Sequence, residues 1–353
     1  ELDTDFVLSK SNIINLKNND DIESKKMEKR ERIDLTEKNS YLFKSWNFDD
    51  SPLLPIFQID QGKDKSSKLW IHTNSIAERL ELNSKKSLDI FLKSFESFPL
   101  LNNWQNYLSE SLRHKSEFKL GEKNEAISLC LHLNSDNEIT EWSFHLTLVK
   151  CTLIVGSDHT EALLSRKSKT RITSRLLKPI KEHIENLDKI LEISTSFRQR
   201  HLLEGKVEIP APVNKIESLN EFFIHSPADY SKGYFEPLNK KDCQTYISPL
   251  INEANLIWFK HSNQYGLKSA GYLSKGIDYI NANEIIKYTE FIDNNLELNE
   301  DGNLSFGQVL NLCVDENKKR ILHKLLINEF KENEISLSSK GFDNDESEKI
   351  FIS

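Results

Sequence analysis

An α+β domain is what this sequence predicts, and three observations carry the reading. Apolar and polar residues alternate strictly on both arms of a turn between residues 126 and 148. From residue 172 the apolar spacing changes to that of helices. The strand-like segments come first, up to about residue 155, and the helical ones follow, which sets α+β apart from an interleaved α/β fold.

The elements follow in chain order. Residues 1–32 form a polar tether, ending in KNNDDIESKKMEKRER (17–32), which is too charged and too poor in large apolar groups to bury a core. Ordered structure is expected from Ile33-Asp34-Leu35, so one domain runs from 33 to 353. In AISLCLHL, Ile127, Leu129, Leu131 and Leu133 alternate with Ser128, Cys130 and His132. SDN (135–137) supplies a turn, and then Trp142, Phe144, Leu146 and Leu148 alternate with Ser143, His145 and Thr147. Period two on both sides of a turn predicts a β-hairpin with one buried face. His132 and His145 fall on its more polar face. They could begin a metal site, but no third ligand lies nearby, and ordinary cross-strand histidines are the simpler reading.

Leu176, Ile180, Ile184, Leu187, Leu191 and Phe197 predict a helix over 172–204, with Pro179 in its first turn and Gly205 near its end. VEIPAP (207–212) reads as a short extended segment limited by its prolines. A second helix is expected after Pro249, with Leu250, Ala254, Ile257 and Trp258 on one stripe and Gly266 as its C-cap. A third covers 317–331, with Ile321, Leu322, Leu325 and Leu326 inward.

Composition narrows the function classes. The 353 residues are 37% hydrophobic and 29% charged, enough for a real core. No stretch of 18 apolar residues is present, so no membrane span is expected. The first residue is Glu1, which suggests a segment of a longer chain. Cys130, Cys151, Cys243 and Cys313 lie far apart with no CxxC pair, which fits a reducing cytoplasm and neither a zinc site nor a disulfide framework. The net charge of −8 is not that of a typical nucleic-acid binder, and no DNA partner is expected. SRKSKTRITSRLLKPIK (165–181), however, carries Arg166, Lys167, Lys169, Arg171, Arg175, Lys178 and Lys181 with no acid. Screening limits each charge to about 8 Å at physiological salt, so a local basic surface can hold phosphates on an acidic protein. A solvated helix face is the plain alternative.

No GxGxxG, GxxxxGK[ST], GxSxG or HExxH occurs. What remains is KSWNFDDSP (44–52). Asn47, Asp49 and Asp50 are hard oxygen ligands of the kind that hold Mg²⁺ for phosphodiester cleavage. Lys44 would repel such a cation, and an acidic turn closed by Ser51-Pro52 explains the same residues without a metal.

Taken in order, several segments resemble the RNB domain, the catalytic domain of the ribonuclease II/ribonuclease R family. ERIDLT (31–36) is similar to the family's Arg-x-Asp-Leu-Thr segment, and LWIHTNSI (69–76) to its "VHIADV" strand. FPLLNNWQNYLSESL (98–112) resembles "PMLP…CSL", and residues 121–151 resemble the hairpin that follows it. RQRHLLEGKVEIPAP (198–212) resembles the "R…R…G" helix and the next strand, and ISPLINEAN (247–255) stands at "EEMMLLAN". The resemblance implies a curved antiparallel sheet wrapped by helices, and processive 3′→5′ hydrolysis of single-stranded RNA with Mg²⁺ held by four aspartates.

Those carboxylates are mostly missing. The first aspartate falls on Lys44, the second on Asn47 in a shortened spacing, and the last two on Asp49 and Asp50. The aspartate of "IAD" falls on Ser75, and the tyrosine that packs on the 3′-terminal nucleotides on or near Val155. The paired glutamates fall on Ser248 and Pro249, with Asn255 kept. The arginine-bearing "TSPIRRY" motif would begin about where KIFIS (349–353) stops.

The expectation is a ribonuclease II-like protein of a bacterial cytoplasm that binds single-stranded RNA, with exonuclease activity weak or lost. Asp49, Asp50 and Asn47 are the remnant Mg²⁺ ligands, with Asp50 the catalytic one. Arg166, Lys167, Lys169, Arg171, Arg175, Arg198, Arg200 and Asn255 are the residues expected to contact RNA. An active Mg²⁺-dependent exoribonuclease and a protein-interaction scaffold are the alternatives, and no protein partner is legible.

Overall fold

The computed structural model describes residues 31–44, 53–62, 66–80, 98–100, 103–105, 108–166, 175–203 and 243–266, with short pieces beyond. The segment 45–52 with Asn47, Asp49 and Asp50, VEIPAP, and Lys167, Lys169 and Arg171 lie outside the described residues. The chain divides into two compact units, Glu1–Val155 and Gly156–Ile352.

The first unit is built on β1 (Ile33–Asp34), β2 (Ser40–Phe43), β3 (Ile56–Gln61), β4 (Ser67–Asn74), the small pair β5 (Phe98–Leu100) and β6 (Asn103–Gln105), β7 (Lys123–Leu133) and β8 (Ile139–Val155). A short helix, α1 (Glu110–Ser116), precedes β7. The six-stranded sheet has the order β1-β8-β2-β3-β4-β7, and an additional pairing joins β7 to β8. The strands β2, β3, β4, β7 and β8 therefore form a closed ring. Neighbours alternate in direction from β2 to β8, and an odd ring must hold one parallel pair. That pair is β2 with β8. The sheet is mixed for this reason, and β1 adds a second parallel pairing on β8. Closure removes the sheet edges that would otherwise offer unpaired amides.

The hairpin is where the alternation placed it. Between β7 and β8 the Asn137 amide donates to the Asn134 carbonyl at 3.1 Å. The Asn134 side-chain oxygen accepts from the amides of Asp136 and Glu138 at 3.0 and 2.8 Å. Asn137 has φ of 59°, the left-handed conformation that asparagine tolerates better than most residues.

The single buried face, by contrast, is corrected. On one face a row of cross-strand neighbours runs Tyr41, Phe57, Ile71, Leu129 and Phe144. The first four are fully buried, and Phe43 meets Phe57 edge to face at 5.9 Å. On the other face Leu42, Ile56, Trp70, Ala126, Cys130, Val149 and Cys151 make a second core, which Leu35, Phe118 and Leu54 from outside the strands join. A ring covers one of its faces by closing, and added segments cover the other, so Ser128 and Cys130 are as buried as Leu129. Trp142, Phe144, Leu146 and Leu148 are only half-buried.

The second unit contains α2 (Ser157–Leu164), α3 (Ile184–Leu203) and α4 (Cys243–Gln264). It also holds short strands β9 (Gly271–Leu273), β10 (Tyr279–Asn281), β11 (Asn303–Ser305), β12 (Glu334–Ser336) and β13 (Glu348–Lys349). In α3 the buried residues Leu187, Ile190, Leu191, Ser194 and Phe197 follow the helical stripe. The helix begins later than the spacing predicts. Residues 175–180 are turns, a 3-10 segment covers Lys181–His183, and Leu176 is exposed. Pro179 thus lies ahead of the helix and not in its first turn.

The start of α4 is corrected too, since it runs through Pro249 and begins at Cys243. Proline gives up one amide bond in that turn. The same turn gains a bond from outside, because the Ser194 hydroxyl donates to the Tyr246 carbonyl. His201 meets Glu253 at 2.9 Å. The two contacts advance together along both helices, so α3 and α4 run parallel. Gly266, at φ of 62°, caps α4 as expected. In the third helix Leu322 is buried but Ile321 is exposed, against the inward placement expected for it. Leu325 and Leu326 lie outside the described residues.

Candidate functional site

Strand direction gathers the positions of interest at one end of the ring. β2, β4 and β8 all run the same way, since β3 and β7 oppose them. Their C-terminal ends carry Lys44, Ser75 and Val155. Phe43 pairs with Val155. The Lys44 amide donates to the Val155 carbonyl at 3.0 Å, which fixes the backbone of both.

A compact ionic cluster stands at the same end. The Arg32 guanidinium lies 2.7 Å from the Glu78 carboxylate and 3.8 Å from that of Glu125. It also donates to the carbonyls of Ala126 and Thr147, at 3.3 and 3.4 Å. Arg79 meets Glu125 at 3.3 Å. The Ser75 hydroxyl donates to the same Glu78 oxygen that Arg32 holds. Two guanidinium groups thus meet two carboxylates, and the cluster is internally neutral. Only 5% of the Arg32 side chain is exposed, so these bonds replace its water. The cluster ties β1, β4, β7 and β8 together.

Arg32 stands out in the sequence within ERIDLT, but Glu78 does not. Its signal was Ser75-x-x-Glu78, the spacing at which a serine and a glutamate cross-bond at the start of a helical turn. A 3-10 turn over Ala77–Arg79 follows directly.

Elsewhere on the ring, His72 is fully buried and its Nδ1 is 2.7 Å from the Ser128 hydroxyl. Ser128 is 2.6 Å from Thr147. Burial depresses the basicity of His72 to about 3, so the ring stays neutral. His132 lies 4.0 Å from Glu141. His145 bonds Ser143 at 2.8 Å and leans on Trp70, and burial lowers its pKa. Each histidine has its own neighbour. Among the described residues, no group of three or more His, Cys, Asp or Glu could hold a metal ion.

The residues expected to contact RNA are placed as follows. Arg166 is paired with Asp188. Arg175 is exposed in the turns before α3. On α3, Arg198 is exposed, and the Arg200 guanidinium lies 4.9 Å from the Phe197 ring centre. Asn255 is half-buried on α4. All of these belong to the second unit, whereas Lys44 and Ser75 belong to the first. Asn47, Asp49 and Asp50 lie outside the described residues.

Comparison with known proteins sets this geometry in context. The family model of the RNB domain matches residues 32–347. Ribonuclease R of Mycoplasma genitalium, solved with ribose-methylated single-stranded RNA, superposes with a TM-score of 0.65 at 13% identity, over 90% of this chain and 47% of that one. The same protein solved with double-stranded RNA gives 0.65 at 14% identity, over 91% and 54%. Yeast Ssd1, a pseudonuclease, gives 0.60 at 13% identity, over 88% and 36%. At these identities the likeness is one of fold. The chain spans about half the length of the ribonuclease R structures it matches. No curated protein matches the sequence.

The described residues at this end do not by themselves make a site for a divalent cation. Of the carboxylate positions that the family resemblance assigns, the two described in the first unit hold Lys44 and Ser75. The first brings a positive charge, and the second is a neutral hydroxyl already engaged by Glu78.

Proposed function

Because the chain belongs to the RNB domain family, we propose that it is a ribonuclease II-like protein that holds single-stranded RNA and has little or no 3′→5′ exoribonuclease activity. The observation that carries this reading is Lys44, fixed at the C-terminal end of β2 beside the end of β8. Replacing an acidic ligand by lysine changes the local charge by about two units. At the effective dielectric of a protein surface, two unit charges about 4 Å apart interact by about 4 kcal/mol. Mg²⁺ would have to be held by Asp49, Asp50 and Asn47 against that repulsion. Asp50, the residue assigned to catalysis, would lack the neighbours that polarise a bound water.

RNA contact is proposed for the basic stretch 165–181 and for Arg198, Arg200 and Asn255. Of the described residues Arg175 and Arg198 are exposed, whereas Arg166 already serves Asp188. A reducing cytoplasm belongs to the same proposal, supported by four buried cysteines, none of which forms a disulfide.

The test is a filter-binding titration of the full chain with a labelled single-stranded RNA whose length is checked afterwards. Retained, full-length RNA is the expected result. RNA that is never retained would remove the RNA half of the proposal, and RNA shortened only when Mg²⁺ is present would remove the other half.

A further inference from the structure

Lys44 is half-buried, and none of the ion pairs of the described residues includes it. The two carboxylates of the ionic cluster at this end are already engaged. Glu78 is shared by Arg32 and Ser75, and Glu125 by Arg32 and Arg79. The charges of that cluster balance, and the ammonium of Lys44 has no carboxylate partner among the described residues. A lysine that the fold half-buries and that has no carboxylate partner is open to an anion.

We propose that Lys44 takes the place of a metal ion here: its ammonium holds a backbone phosphate of single-stranded RNA, so that binding at this end of the ring needs no divalent cation. This rests on the reading of the chain as an RNA-holding member of its family. A lysine is a compact point charge with three donors and suits a phosphate oxygen. It has no coordination sites for a water and does not lower a water's pKa as a metal does. One substitution thus accounts for both halves of the behaviour, retention of the strand and failure to cut it. The anchoring also suits the role. The lysine follows a strand whose last residue is paired to β8, so its backbone is held by the ring and not by a loose loop.

The experiment is a salt titration of binding to a fluorescently labelled single-stranded RNA, in Mg²⁺ and in chelator, with Lys44→Gln, Lys44→Arg and Lys68→Gln beside the parent chain. Lys68 is exposed at the opposite end of β4 and serves as the charge-matched control. The parent chain should bind equally, within about twofold, with and without Mg²⁺. Lys44→Gln should weaken binding by about tenfold, the scale of one charge-assisted contact. It should also flatten the salt dependence by about 0.7 in logarithmic slope, the share of one phosphate on a single strand. Lys44→Arg and Lys68→Gln should bind as the parent does. Binding lost in chelator would overturn the proposal, as would parent-like affinity and slope in Lys44→Gln. If the parent chain binds no RNA in either condition, the functional reading itself fails and this inference falls with it.

Discussion

Arg32 shows how much one side chain carries in this fold. Its guanidinium satisfies Glu78 and two backbone carbonyls while almost fully withdrawn from solvent. Removing it strands a carboxylate, so Arg32→Met should cost about 3 kcal/mol, read from the urea midpoint. Glu78→Gln keeps an acceptor and should cost clearly less. His72 gives a pH signature. Its folded pKa of about 3 lies below the ordinary value of 6.5, so the unfolded chain binds the proton first. The stability it contributes is complete above the unfolded value and is lost as pH falls toward 3, at up to about 1.4 kcal/mol per unit. His72→Gln should flatten that part of the stability profile. The sequence singles out Lys44, Asp49 and Asp50 as candidates because unusual charge is visible in a string of letters. It could not show that His72 is buried or that Glu78 closes on Ser75, since both depend on what lies across the sheet.

At the scale of elements, the hairpin was legible because its signal is local. The turn needs a left-handed residue, and Asn137 supplies it. Asn137→Val should destabilise by about 1–2 kcal/mol, because a β-branched residue pays heavily at positive φ, whereas Asn137→Gly should be tolerated. Helix starts were harder to read. Leu176 and Ile180 have helical spacing with the residues of α3, yet Pro179 and the 3-10 turn delay the helix to Ile184. Pro249 invites a helix start and instead sits inside α4. A contact from another helix softens that position, and no local rule sees it. Ser194→Ala removes the hydroxyl from the Tyr246 carbonyl and should lower stability by about 1 kcal/mol.

For the whole molecule, closure of the ring is what the sequence hid. Ser128, Cys130 and Thr147 look like the wet side of an amphipathic hairpin, and they are buried because the sheet meets itself. The buried thiols report on that closure. Burial raises both Cys130 and Cys151 to about 11, so a thiol reagent at neutral pH should reach them only as fast as the ring opens. Rapid labelling without loss of structure would show that the sheet is open at the β2–β8 seam. The fold is that of the RNB domain, and the positions at the ends of β2 and β4 that the family resemblance assigns to carboxylates hold Lys44 and Ser75.

The most direct measurement of that claim is the rate at which the full chain shortens a 5′-labelled single-stranded RNA in Mg²⁺, in Mn²⁺ and in chelator. The account predicts intact RNA, still retained by the protein, in all three. A ladder that shortens from the 3′ end only with metal, and that Asp50→Asn abolishes, would show a working metal centre despite Lys44 and contradict it.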